Sequence, residues 1–193
     1  MSSQRRTYLV TPTEYLAAER RATTRSEYHD GEIVAMVGAS WAHNLIVTAA
    51  VRELATQLRG RPCAVAATDM RVRIAARNIY TYPDLVVVCG EPRFEDAAVD
   101  TLLNPALIIE VLSPSTEQYD RGDKFAHYRT IPGLVEYLLI AQHRPHLEYH
   151  RSDPDNRWLS AEAQGRDATL ALTVGGGCTL ALADLYERIT FPA

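Results

Sequence analysis

Ala106-Leu107-Ile108-Ile109-Glu110-Val111-Leu112 is a run of seven residues in which one carboxylate interrupts six apolar side chains. A run this short and this apolar reads as a strand buried on both faces. Removing an ionised carboxylate from water costs on the order of several kcal/mol unless a cation offsets it, so Glu110 is expected to face one. The chain holds nineteen arginines and a single lysine, Lys124, which follows this strand. A lysine ammonium, unlike a guanidinium, loses its proton readily once its surroundings lower its pKa. Glu110 and Lys124 are therefore candidates for a reactive pair. A structural ion pair between Glu110 and Arg71 or Arg73 is the alternative.

Working outward, Pro83-Asp84-Leu85-Val86-Val87-Val88-Cys89 is a second apolar strand, stopped by Gly90-Glu91-Pro92. A polar loop runs from there to Asn104-Pro105. If the two strands are antiparallel neighbours, the start of the first lies beside the end of the second. Opposed side chains are then about 5 Å apart at Cβ, which brings Asp84 and Glu110 into one space. Two carboxylates that close ionise together only around a cation. Oxygen ligands suit Mg²⁺ or Mn²⁺ better than zinc. An ammonium on the following helix, read over Asp120 to Ile131 and closed by Pro132-Gly133, could orient or deprotonate a water while the metal polarises a phosphoryl oxygen. Those parts suffice to hydrolyse a phosphodiester.

The rest of the chain reads as alternating short elements. Thr11-Pro12-Thr13-Glu14 is a capping box opening a helix to about Arg21. Ser26 to Val37 is a hairpin turning at Asp30-Gly31, with Glu32 just beyond the turn. Ser40 caps a helix ending at Gly60, whose apolar positions Val47, Val51, Leu54 and Leu58 recur at helical spacing, with His43 extending the stripe. Further strands are expected at Cys63 to Thr68, Met70 to Ile74, Val135 to Ile140, His146 to Arg151 and Thr169 to Val174, and a short helix near Leu182 to Arg188. Arg71 and Arg73 would share the outer face of a half-exposed strand. The sets Arg20-Arg21-Arg25 and Arg71-Arg73-Arg77 read as solvated faces balanced by acids, with phosphate contact as the functional alternative.

At 193 residues and 47% apolar composition, one domain over 1–193 is expected. A net charge of -4 argues against a general polyanion binder, so a nucleic-acid contact must be local. Cys63, Cys89 and Cys178 are odd in number and lack metal-ligand spacing, which suggests buried free thiols in a reducing compartment. Met1 to Arg6 are polar with no apolar stretch behind them, and no window approaches the roughly 20 apolar residues of a membrane span. A cytoplasmic protein is expected.

Pro83-Asp84, Glu110-Val111-Leu112 and Lys124 together resemble the PD-(D/E)XK nuclease superfamily. More specifically, Asp30-Gly31-Glu32, His43, Glu110-Val111-Leu112-Ser113-Pro114-Ser115, Asp123-Lys124-Phe125, Tyr128 and Glu136-Tyr137 resemble the Uma-two family of restriction-endonuclease-like proteins, over nearly the whole chain. The resemblance implies an α/β fold with a restriction-endonuclease-like core, a mixed central sheet flanked by helices, and additional C-terminal strands. It implies a metal-dependent endonuclease acting on DNA, with Mg²⁺ or Mn²⁺ held by Asp84, Glu110 and the Val111 carbonyl, and with Lys124 acting on the attacking water. Glu32, His43 and Asp69 are auxiliary candidates. The superfamily pattern sets its lysine two residues after the acid; that position is Leu112 here, so Lys124 must serve from the next helix. A homodimer would suit the two strands of a duplex. A nuclease-like scaffold that binds nucleic acid or protein without cleavage is the second reading, and a glycosidase carboxylate pair the third.

Overall fold

The computed structural model describes residues 9–114 and 116–191; the polar stretch Met1 to Arg6 and Ser115 lie outside them. Helix α1 (Pro12–Glu19) precedes the hairpin β1 (Ser26–His29) and β2 (Glu32–Ala35), then helix α2 (Trp41–Gln57). Strands β3 (Cys63–Ala67), β4 (Arg71–Ile74), β5 (Ile79–Thr81), β6 (Leu85–Cys89), β7 (Thr101–Leu102) and β8 (Leu107–Leu112) follow. A helical crossover made of α3 (Glu117–Tyr119), a π turn (Asp120–Lys124) and α4 (Phe125–Tyr128) leads to β9 (Glu136–Ala141). The chain ends in β10 (His146–Ser152), β11 (Trp158–Gln164), β12 (Thr169–Leu172), β13 (Cys178–Ala181) and α5 (Leu182–Leu185).

The central sheet has the order β11-β10-β9-β8-β6-β3 and is mixed, because β8 and β9 are parallel while β6 and β8 are antiparallel. Every residue of β8 and β9 is buried, as a continuous apolar run in the middle of a covered sheet must be. Alternation divides the strand between two cores. Leu107, Ile109 and Val111 pack with α2, α5 and the β12–β13 hairpin, whereas Ile108 and Leu112 pack with Tyr128, Tyr137 and residues of β4 and β5. The sheet is thus flanked on one face by helices and C-terminal strands, and on the other by the crossover and a second sheet ordered β2-β1-β5-β4-β7.

That second sheet adds to the expected mixed central sheet, and it contains β5 and β7, which are too short for periodicity to reveal. β11 was also not anticipated, and most of its residues are exposed. The crossover helix starts at Glu117 and ends at Tyr128 instead of spanning Asp120 to Ile131, and its middle is a π turn. Arg71 is corrected from an outer face to a buried one: it is 3% exposed, bonded to Thr101 and Tyr82 and paired with Asp100 at 2.9 Å. Two of the three expected thiols are corrected as well. Cys63 and Cys89 stand opposite each other on β3 and β6 and form a disulfide, leaving Cys178 as a buried free cysteine. Among the described residues no helix is long and apolar enough to cross a membrane.

Candidate active site

Asp84 stands one residue ahead of the Leu85↔Ile109 pair, so the β6–β8 register continued by one residue sets it opposite Glu110. Leu85 and Val87 face the α2 core and Val86 and Val88 the other, and Glu110 shares its face with Ile108 and Leu112; Asp84 occupies the bend just ahead of β6, where its own contacts place it. The Asp84 carboxylate does not hang free at this strand end. Its Oδ2 accepts the Val111 amide at 2.7 Å and lies 3.1 Å from His43 Nε2. His43 reaches it from the first turn of α2, where Ser40 caps the helix by accepting the His43 amide. The strand end and the helix start are therefore tied together through one carboxylate oxygen.

Glu110 is 4% exposed, and its Oε1 receives the Tyr128 hydroxyl at 2.7 Å and the Lys124 ammonium at 2.9 Å. Neither Arg71 nor Arg73 serves as its counter-ion: the former pairs with Asp100 and the latter with Glu95. Lys124 also lies 3.3 Å from Asp120 Oδ1 across the π turn. Such turns recur at functional sites because they displace regular helical hydrogen bonds. Here the Asp120 carbonyl accepts from the Tyr137 hydroxyl at 3.0 Å, which anchors the turn to β9.

Burial pushes the Glu110 carboxyl up to about 8; Lys124 opposes that rise, and Asp84 and Asp120 add to it. Burial also works against the Lys124 charge, but Glu110, Glu27 and Asp120 outweigh it and hold the lysine well above its usual range. An ammonium so enclosed is a fixed charge and a hydrogen-bond donor.

Glu27 was not anticipated. It is carried by β1, where its carboxylate accepts from Thr81, from the Tyr82 amide at 3.2 Å and meets His29 Nε2 at 3.0 Å. Burial opposes ionisation there, yet His29, Lys124, Thr81 and Tyr82 bring Glu27 down to about 2. One signal was available: Glu27 and His29 share a strand face, since Tyr28 between them is buried on the other. Glu32 is exposed at the start of β2, and Asp69 is exposed with its carboxylate 3.5 Å from Arg25. Glu136 is fully buried but structural, accepting the amides of Thr173 and Val174 and the hydroxyl of Tyr149.

Among the described residues no three His, Cys, Asp or Glu side chains gather as metal ligands. Asp84 and Glu110 supply two carboxylates, and the Val111 peptide between them is fixed through its amide. The donors are oxygen throughout. A set of one or two carboxylates completed by water is what Mg²⁺ commonly takes, so the residues fit a hard divalent cation and would suit zinc poorly. On each acid the protein's own donors converge on a single oxygen, Oδ2 of Asp84 and Oε1 of Glu110.

The Uma2 family model, described as "Putative restriction endonuclease", matches residues 12–183. Uncharacterized protein sll1609 of Synechocystis is 40% identical over 164 residues, covering 85% of this chain and 93% of that protein. Uncharacterized protein slr1290 of the same organism is 34% identical over 94% of each chain. A crystal structure from Anabaena variabilis, titled "a putative nuclease belonging to DUF820", superposes with a TM-score of 0.76 at 21% identity, over 92% of this chain and 98% of that one. It shares the fold.

Proposed function

Because this chain belongs to the Uma2 family, we propose that it is a metal-dependent endonuclease hydrolysing DNA phosphodiester bonds. The observation that carries the reading is Asp84, one residue ahead of β6, bonded through Oδ2 to the amide of Val111 beside Glu110, with Lys124 Nζ 2.9 Å from Glu110 Oε1. Asp84, Glu110 and the Val111 carbonyl would hold Mg²⁺ or Mn²⁺. Once bound, the ion supplies Lewis acidity and a lowered pKa for the attacking water. His43 and the Val111 amide hold Asp84 in place, while Lys124 presents its ammonium beside the acid to orient the water and offset negative charge developing on the phosphoryl oxygens. In the in-line displacement the water oxygen forms a bond to phosphorus and gives up a proton to solvent, as the bond to the leaving sugar oxygen breaks and that oxygen takes up a proton from solvent.

The test is cleavage of plasmid DNA with Mg²⁺. Wild type is expected to cut and Lys124→Ala to lose cutting while keeping its circular dichroism spectrum. Undiminished cleavage by Lys124→Ala removes the lysine from the mechanism. We further infer a homodimer, supported by β2, an edge strand of four exposed residues whose Ile33 and Val34 lie open to pairing. Sedimentation at micromolar concentration reports the oligomeric state.

The second reading is a nuclease-like scaffold that binds without cutting. It is favoured by the enclosure of Lys124 between Glu110 and Asp120, and by the net charge of -4. Calorimetric titration with Mn²⁺ separates the two, since a scaffold needs no cation site that disappears in Glu110→Ala.

A further inference from the structure

A hydroxyl as deeply buried as that of Tyr128, whose residue is 0% exposed, must find a partner, and it donates to Glu110 Oε1 at 2.7 Å. Behind it, 3.4 Å away, lies the hydroxyl of Thr81 on β5. Each hydroxyl has one proton to give. Thr81 gives its proton to Glu27, held ionised on β1, so it turns an oxygen lone pair toward Tyr128 and cannot compete for Glu110. The proton of Tyr128 then goes to the shorter contact, Glu110. With the Lys124 ammonium also on Oε1, one oxygen of this carboxylate carries two donors. Among the described residues its hydrogen bonds do not fall on Oε2.

We propose that Tyr128, backed by Thr81 and Glu27 of the five-stranded sheet, is a positioning residue for Glu110, saturating Oε1 and leaving Oε2 to face a divalent cation. The proposal rests on the metal-binding reading above. Hydrogen bonds behind a metal's ligands orient them and set their basicity, and losing one typically weakens metal binding or activity by about 10- to 100-fold. The second sheet then contributes to the site although Asp84 and Glu110 belong to the central-sheet strands or their ends.

Two measurements test this without using activity. In calorimetric titration with Mn²⁺, Tyr128→Phe is expected to bind roughly 10-fold more weakly or worse, Thr81→Val to lose less in the same direction, and Glu110→Ala to bind nothing. Unchanged Mn²⁺ affinity in Tyr128→Phe overturns the proposal. The second readout needs no metal. Because Lys124 is the sole lysine, ¹⁵N-lysine labelling gives one side-chain Nζ signal, which is expected to move in Tyr128→Phe as Oε1 loses its second donor. A stationary signal overturns the proposal even if the cation binds. Should wild type bind no Mn²⁺, the metal reading fails by itself, and the Nζ signal still decides whether Tyr128 positions Glu110. Thr81→Val, which keeps the side-chain volume, serves if Tyr128→Phe does not fold.

Discussion

The Lys124 ammonium lies 2.9 Å from Glu110 Oε1, and both side chains are almost excluded from solvent. Each group is the other's compensation for burial. Removing the lysine leaves a buried acid that escapes only by taking a proton, which its pKa near 8 already favours. At pH 6 Lys124→Ala is therefore expected to lose only what the lysine gives Glu27 and Asp120, and to lie closer to wild type than at high pH. At pH 9, where Glu110 is ionised, it should fall below wild type by up to about 3 kcal/mol. Urea denaturation at the two pH values checks this; a deficit independent of pH would contradict it.

Glu110 itself has a folded pKa above its unfolded value. The folded state therefore binds its proton more tightly, and stability from this group is present at low pH and lost as pH rises from about 4.5 to about 8. Glu110→Gln cannot titrate. Its stability relative to wild type is expected to improve steadily across that window, while Mn²⁺ binding is lost throughout. Parallel stability curves for the two proteins would sink the assignment.

The opposite sign holds for Glu27, whose folded pKa of about 2 lies below the unfolded value. Its contribution is present above about pH 4.5 and is lost as pH falls through about 2. Glu27→Gln should cost on the order of 3 kcal/mol at pH 7 and much less at pH 2. Acid denaturation of both proteins, followed by circular dichroism, measures the convergence.

The π turn makes a geometric prediction. Gly122 adopts no positive φ, and a Cβ there meets nothing within 4 Å, so Gly122→Ala should fold and bind Mn²⁺ like wild type. Deleting Gly122 removes the extra residue of the turn and rotates Asp120 against Lys124 by roughly 100°. The lysine Nζ signal is then expected to lose its buried character; an unchanged signal would show that the turn is incidental.

The disulfide gives a separate handle. Cys63 and Cys89 close a sequence separation of 26 residues between β3 and β6. Cross-linking a loop of this size typically stabilises by about 3 kcal/mol. Adding reductant should lower the melting temperature of wild type to that of Cys63→Ser/Cys89→Ser, which reductant leaves unchanged.

Local sequence determined much of this architecture. The apolar run around Glu110, the acid opening the β6 strand, the capping box at Thr11 and the hairpin at Asp30-Gly31 each follow from periodicity or turn chemistry within a few residues, and the structure has all four. Even the opposition of Asp84 and Glu110 was legible, because two buried strands joined by a polar loop pair antiparallel most simply. Periodicity says which face of an element is buried but not what it is buried against. So Arg71 read as solvated when Asp100 and Tyr82 enclose it, Cys63 and Cys89 read as free when the register sets them face to face, and Glu27 went unremarked although a second sheet carries it toward Lys124. The sequence by itself determined that Glu110 needs a cation, and left a metal ion, Lys124, Arg71 and Arg73 as candidates. Only the packing of the crossover on the central sheet decided that the lysine faces the acid, because a helix can present any of its sides and long-range contacts select the one that compensates the buried charge.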